Sequence, residues 1–472
     1  MKRATIKIAG HPFAVERGVM RVPENRGQAA ARKIEIPIVR YRSRSAQPAD
    51  PIFWLDGGPG MSNLSFQPPA RLLDNHDVVL VGYRGADGSS ILKCPEIGRA
   101  LKGVDGDVLS AASRANLQRA VTQAAQTLIA SGVDLAGYTM PEVVADMEAA
   151  RAALGYERVN LLSGSYGTRV AQIYAQLHPD RIVRSIMIGV NPPGHFVWTP
   201  EAVDAKLADF AASWSRDSKC AARTPDLLAS LRTALHNLPR RWLLFPIDPG
   251  YVKIMTFVLL YQRPTAALAI DALLAAERGD ASGVWLMSLM GRLMLGRMMM
   301  WGDLLAKGGS ADYEPDRDYV ADLDSAEAIL GAPLSLLIWG AISEDWPLKL
   351  LPEAMRRVQP LDVPTLLISG ELDIATPAEP VERELLPALS HGRHVVLPET
   401  GHVPDVLKAQ PAAVTHLLST YFERGVVDTS QFRDMPMDFH VKPGFPQLAK
   451  FSVGAALTAI VVGLVMVLSS LR

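Results

Sequence analysis

At 472 residues the chain is long enough for two to three ordinary domains or one large decorated one. Lysine plus arginine (48) and aspartate plus glutamate (49) nearly cancel, leaving a formal charge of −1 and excluding the basic excess of a typical nucleic-acid binder. With 49% hydrophobic and 21% charged residues it reads as a globular chain with a large core, and two cysteines exclude a disulfide scaffold or a thiolate zinc site. At most one bridge, Cys94–Cys220, can form.

In chain order, Ile34-Glu35-Ile36-Pro37-Ile38-Val39 alternates with period two, and Pro37 suggests an edge strand. Pro51–Leu55 is a strand running into the turn Asp56-Gly57-Gly58-Pro59-Gly60, and Val78–Gly82 is an apolar run of buried-strand type. Thr139-Met140-Pro141-Glu142 has the form of a capping box. The helix behind it shows an apolar face (Val143, Val144, Met147, Ala150, Leu154) and stops at Gly155. Strands follow at Val159–Leu162 and Val183–Ile188, then at Pro364–Ser369 and His394–Leu397 after a long helical stretch. The pattern predicts an α/β fold with a mostly parallel sheet. Its core falls at 1–194 and 346–430, with a helical insertion over 195–345 and a loose linker over 431–450.

The end of the chain has its own character. No charge occurs from Phe451 to Leu471, and about 21 helical residues span roughly 31 Å, the thickness of a bilayer core. This predicts a transmembrane helix over 451–472. The start lacks the apolar run of a secretory signal, so the expected location is a membrane anchor with the catalytic part facing the cytoplasm, the rival being an exported domain.

Chemistry gathers at strand ends. Leu161-Leu162-Ser163-Gly164-Ser165-Tyr166-Gly167-Thr168 is a strand, a tight turn and a helix start, the setting that lifts a serine hydroxyl above a sheet. Ser163 stands where such elbows usually carry glycine. Gly370-Glu371-Leu372-Asp373 delivers a carboxylate after one strand, and Gly401-His402 a histidine after the next. The order Ser165, Asp373, His402 is that of nucleophile, acid and base in the α/β-hydrolase fold. Asp373 is preferred to Glu371 because it lies further into the loop. Backbone N–H groups of Tyr166 and of Gly57 or Gly58 are the candidate oxyanion donors. No metal-ligand cluster, phosphate loop or dinucleotide fingerprint competes, so neither metal nor cofactor is expected.

Taken together, Gly57-Gly58-Pro59-Gly60, Arg84-Gly85-Ala86-Asp87-Gly88-Ser89, the Ser165 elbow, Gly370–Asp373 and Gly401-His402 resemble the prolyl and tripeptidyl aminopeptidase family of α/β-hydrolases over about residues 15 to 425. Asp56 stands where the prolyl branch often has histidine, and Ser343 where a family segment usually carries cysteine; the tripeptidyl-type branch is the nearer likeness. The resemblance implies that the insertion is a helical cap, whose acidic side chains would receive a free peptide amino terminus. Glu344 and Asp345, at the cap's exit, are the candidates for that role, with a solvated acid pair as the plain alternative. The stretches Trp285–Met287 and Met298–Trp301 read as core packing or as a plastic apolar pocket or membrane-facing surface. The sequence thus favours a serine aminopeptidase, with a lipase-like carboxylesterase on the same triad as alternative and a tethered binding module as a third reading.

Overall fold

The computed structural model describes residues 1–341 and 346–455. Eleven strands are present among them: β1 (Lys2–Ile8), β2 (His11–Pro23), β3 (Lys33–Tyr41), β4 (Ala49–Leu55), β5 (His76–Val81), β6 (Val159–Gly164), β7 (Ile182–Ile188), β8 (Arg241–Trp242), β9 (Phe245–Pro246), β10 (Thr365–Gly370) and β11 (Gly392–Leu397). Nine form one sheet in the order β1-β2-β3-β5-β4-β6-β7-β10-β11. The first three joins are antiparallel, and the pairs from β5–β4 onward are parallel. β5, β6 and β10 are buried at every position, as expected of parallel strands covered by helices on both faces.

Pro37 lies inside the sheet, not at its edge. β3 is flanked by β2 and β5, and its pairing with β5 begins at Ile38, one residue past the proline. The missing donor is thereby tolerated, while the Pro37 carbonyl still accepts from Gly82 N at 2.8 Å. The edges are taken instead by β1 and β11.

The helix Met140–Ala153 forms and buries Val143, Val144, Met147 and Ala150, but the capping box does not close. Thr139 makes no side-chain cap bond. Glu142 turns outward from its own helix to accept from Arg26 Nη1 at 2.6 Å and to face Arg84 Nη1 at 3.2 Å. A buried guanidinium is a stronger partner for a carboxylate than a neutral backbone amide.

Between β7 and β10 the described elements are helices apart from the β8–β9 hairpin. Four helices build the part of this insertion that bears on the site: Pro249–Leu259, Arg263–Glu277, Ser282–Met294 and the wholly buried Trp301–Asp312.

The expected loose linker is docked. Phe439 is buried against Trp214, with ring centroids 5.1 Å apart, and Met437 N donates to Glu399 Oε2 at 2.5 Å. The chain turns helical over 445–455, burying Phe445 and Ala449 and pairing Lys450 Nζ with Asp280 Oδ2 at 2.6 Å. This corrects the expectation of a membrane-spanning C-terminal helix. Among the described residues no helix is long and apolar enough to cross a membrane. Residues 451–455, read from hydropathy as the start of a span, continue the helix whose preceding turn packs on the insertion, with Phe451 itself exposed. Residues 456–472, and the candidates Glu344 and Asp345, lie outside the described residues.

Candidate active site

Ser165 sits between β6 and the helix Gly167–Leu177 with φ 52, a left-handed conformation that a non-glycine residue adopts only under constraint. Its amide is fixed to the Ile188 carbonyl at 2.9 Å. Ser163, in the place of the usual glycine, fits because its hydroxyl donates to the Ile186 carbonyl at 3.2 Å. The strain aims Ser165 Oγ at His402 Nε2, 2.8 Å away, and His402 Nδ1 lies 2.7 Å from Asp373 Oδ2.

Asp373 is fully buried and held by three donors: Ala375 N (2.9 Å) and Thr376 N (3.0 Å) on Oδ1, and Thr376 Oγ1 (2.7 Å) on Oδ2. Glu371, the competing acid, is used elsewhere and accepts from Glu399 N at 2.8 Å. That contact braces the approach to the His402 loop, where Glu399 has φ 48. The insertion supplies a partner that sequence reasoning missed. Tyr261 accepts the His402 N–H on its carbonyl at 2.7 Å and sets its ring edge-on to the imidazole, 5.2 Å between centroids. Nothing in the sequence around Tyr261 marks it, since it lies 141 residues before His402 in an ordinary helix junction.

The Gly57–Gly60 turn passes directly over Ser165. A Cβ on Gly57 would stand 2.8 Å from Ser165 Cβ, so only glycine fits. Of the three candidate oxyanion donors, the Gly57 amide is engaged, donating to Asp56 Oδ1 at 2.7 Å. This leaves Gly58 from the turn, and Tyr166 at the start of the helix, where main-chain N–H groups lack intrahelical acceptors. Burial pushes the Asp56 carboxyl above its usual range, and the Gly57 N–H pulls it partly back.

The same turn is gripped by the insertion. Asp303 Oδ2 accepts from Gly60 N at 3.0 Å, and Met300 N donates to the Gly60 carbonyl at 2.8 Å. Gly60 has φ 89, and a Cβ there would meet the Met300 carbonyl at 2.8 Å. Lys307, one helical turn on, donates to Asp303 Oδ1 at 2.5 Å and to the Arg84 carbonyl at 2.8 Å. Burial drives the Asp303 carboxyl upward, opposed by the adjacent ammonium. Arg84 itself is fully buried and spends its guanidinium on Asp146 and on the Glu24 and Gly137 carbonyls. Further along the same helix, Asp312 lies 3.8 Å from the buried Arg169 and accepts from Gly194 N at 3.0 Å.

Both cysteines are buried and free, so the Cys94–Cys220 bridge is not formed. Asp217, Cys220 and His440 bring ligating atoms within 4.8 Å of one another. Asp217 already caps the six-residue helix Ser218–Arg223, and the positive end of that helix opposes a cation there.

Two family models match the chain, one of the alpha/beta hydrolase fold over residues 50–240 and one of TAP-like proteins over residues 339–433. The tripeptidyl aminopeptidase of Streptomyces lividans is 27% identical over 219 residues, 43% of this chain and 40% of that protein. The serine protease Hip1 of Mycobacterium tuberculosis is 26% identical over 268 residues, half of each chain. The matched stretches thus span about half or less of these relatives' length. Among solved structures, a thermophilic esterase from Thermogutta terrifontis aligns at TM-score 0.40 and 16% identity, covering 86% of this chain and 98% of its own. The two matched stretches leave out residues 241–338, the greater part of the helical insertion, and the chain has the α/β-hydrolase fold and resembles the tripeptidyl aminopeptidase-type family.

Proposed function

We propose that this chain is a serine hydrolase that cleaves peptides from a free amino terminus through an acyl-enzyme. The observation that carries the reading is the 2.8 Å approach of His402 Nε2 to the hydroxyl of a strained Ser165, backed by Asp373. In this reading Ser165 Oγ attacks the substrate carbonyl while His402 takes its proton, and Asp373 fixes the imidazole orientation and stabilises the cation that forms. The developing oxyanion is received by the Gly58 and Tyr166 amides; one such donor is worth about 3 kcal/mol of barrier. His402 then protonates the leaving amine, and water enters by the reverse of the first step. The peptide class is supported by the similarity to a tripeptidyl aminopeptidase and to a serine protease.

A fluorophosphonate probe tests the nucleophile: it labels the parent chain and not Ser165→Ala, and labelling of a folded Ser165→Ala chain would remove the assignment. Tripeptidyl arylamides, their N-acetylated forms and acyl esters then test the substrate. Acetylation removes a charge-assisted hydrogen bond and is expected to lower kcat/KM by roughly a hundredfold. Equal rates on free and acetylated substrates, with faster turnover of esters, would select the esterase reading.

A further inference from the structure

The cap carries exposed apolar side chains on the β8–β9 hairpin and at the end of the helix Ser282–Met294, with arginines beside them in the sequence. The β8–β9 hairpin ends in Leu243 and Leu244, 68% and 87% exposed, with Leu243 held in the left-handed region at φ 53. Behind the tip, the rings of Trp242 and Phe245 each lie 5.0 Å from that of Trp285, so the hairpin is seated on the helix Ser282–Met294 and not hanging free. That helix carries apolar side chains out to its exposed end, with Leu286 and Leu289 half-buried against the core. Leu286, Leu289 and Leu293 recur at helical spacing, and Leu293 is 62% exposed. Residues 240–246 and 286–297 hold Arg240, Arg241, Arg292 and Arg297 and no acidic residue.

We propose that this face docks on the surface of an anionic phospholipid bilayer. The protruding leucines enter the acyl region, the Trp242 and Phe245 rings sit at the headgroup level, and the arginines meet lipid phosphates. The charge pattern selects this occupant over a second copy of the chain, because a twofold contact through this face would set the arginines of both copies against each other. The proposal is independent of the triad and of residues beyond 455.

The test is co-sedimentation of the full chain with phosphatidylcholine vesicles with and without phosphatidylglycerol. The parent chain is expected to bind the anionic vesicles and to be released by salt. Binding should fall about tenfold or more in Leu243→Ser/Leu244→Ser, and likewise in Arg240→Glu/Arg241→Glu. Circular dichroism checks both folds, and the charge-reversed chain decides the matter should the leucine variant fail to fold. The proposal is overturned by no binding, by equal binding of parent and folded variants, or by a dimer in sedimentation velocity that the leucine variant abolishes.

Discussion

Asp303 holds Gly60 across 243 residues of sequence: its Oδ2 takes the Gly60 N–H at 3.0 Å while Lys307 occupies its Oδ1. The turn that passes over Ser165 is therefore positioned by a buried ion pair of the cap. Removing one partner leaves an unpaired buried charge. Lys307→Met is expected to destabilise the chain by about 3–5 kcal/mol, with Asp303→Asn/Lys307→Met recovering part of that loss in denaturant unfolding. A double variant no better than Lys307→Met alone would show that the pair is not coupled.

Gly57 is the tightest point of the site. Adding one methyl in Gly57→Ala puts carbon 2.8 Å from Ser165 Cβ. Displacing the turn or Ser165 by a fraction of an ångström should lower kcat roughly a hundredfold. The melting temperature should move far less than the rate, and a large loss of stability with normal kcat would contradict this account.

The two acids of the β10 loop should behave oppositely. Asp373→Asn removes the anion beside His402 Nδ1 and is expected to cost about four orders of magnitude in kcat. Glu371→Gln keeps an oxygen for Glu399 N and should stay within a fewfold of the parent. Steady-state kinetics of the pair distinguishes them.

Asp248 links stability to pH. It caps the helix Pro249–Leu259 and accepts from Val108 N, and burial pushes its carboxyl up from 3.8 to about 6. Between those values the folded chain holds the proton more tightly than the unfolded one. The stabilising contribution is thus full below pH 3.8 and lost as pH rises through about 6. Asp248→Asn, which cannot ionise, should gain on the parent by on the order of 1–2 kcal/mol between pH 4 and pH 7.5, after allowance for solvent screening. Melting curves of both proteins across that range give the comparison, and a constant difference would reject the assignment.

The thiols should be inert in the folded chain. Burial pushes Cys94 up to about 12 and Cys220 to about 11, which leaves almost no thiolate at neutral pH. Iodoacetamide is expected to label both only after unfolding, and reductant should leave the melting temperature unchanged. Rapid labelling of the native protein would contradict the burial.

The sequence by itself determined the parts of this protein whose physics is local. The Ser165 elbow is legible because a strand, a tight turn and a helix are written in eight consecutive residues. The order Ser165, Asp373, His402 is legible because each follows its own strand directly. What only the tertiary structure decided is which distant group a side chain meets. Glu142 serves Arg26 and Arg84 in place of its own helix cap, and Glu371 braces Glu399 while Asp373 alone reaches His402. Pro37 sits inside the sheet because β1 and β2 cover the side that period-two alternation left open. The segment after Asp434 looked like a loose tether from its prolines, yet Phe439 and Phe445 are buried against the cap. In each case the deciding term is the cost of leaving a charge or an apolar surface without a partner in a packed interior. That cost depends on elements brought together from far apart in the chain, and no window of neighbouring residues contains it.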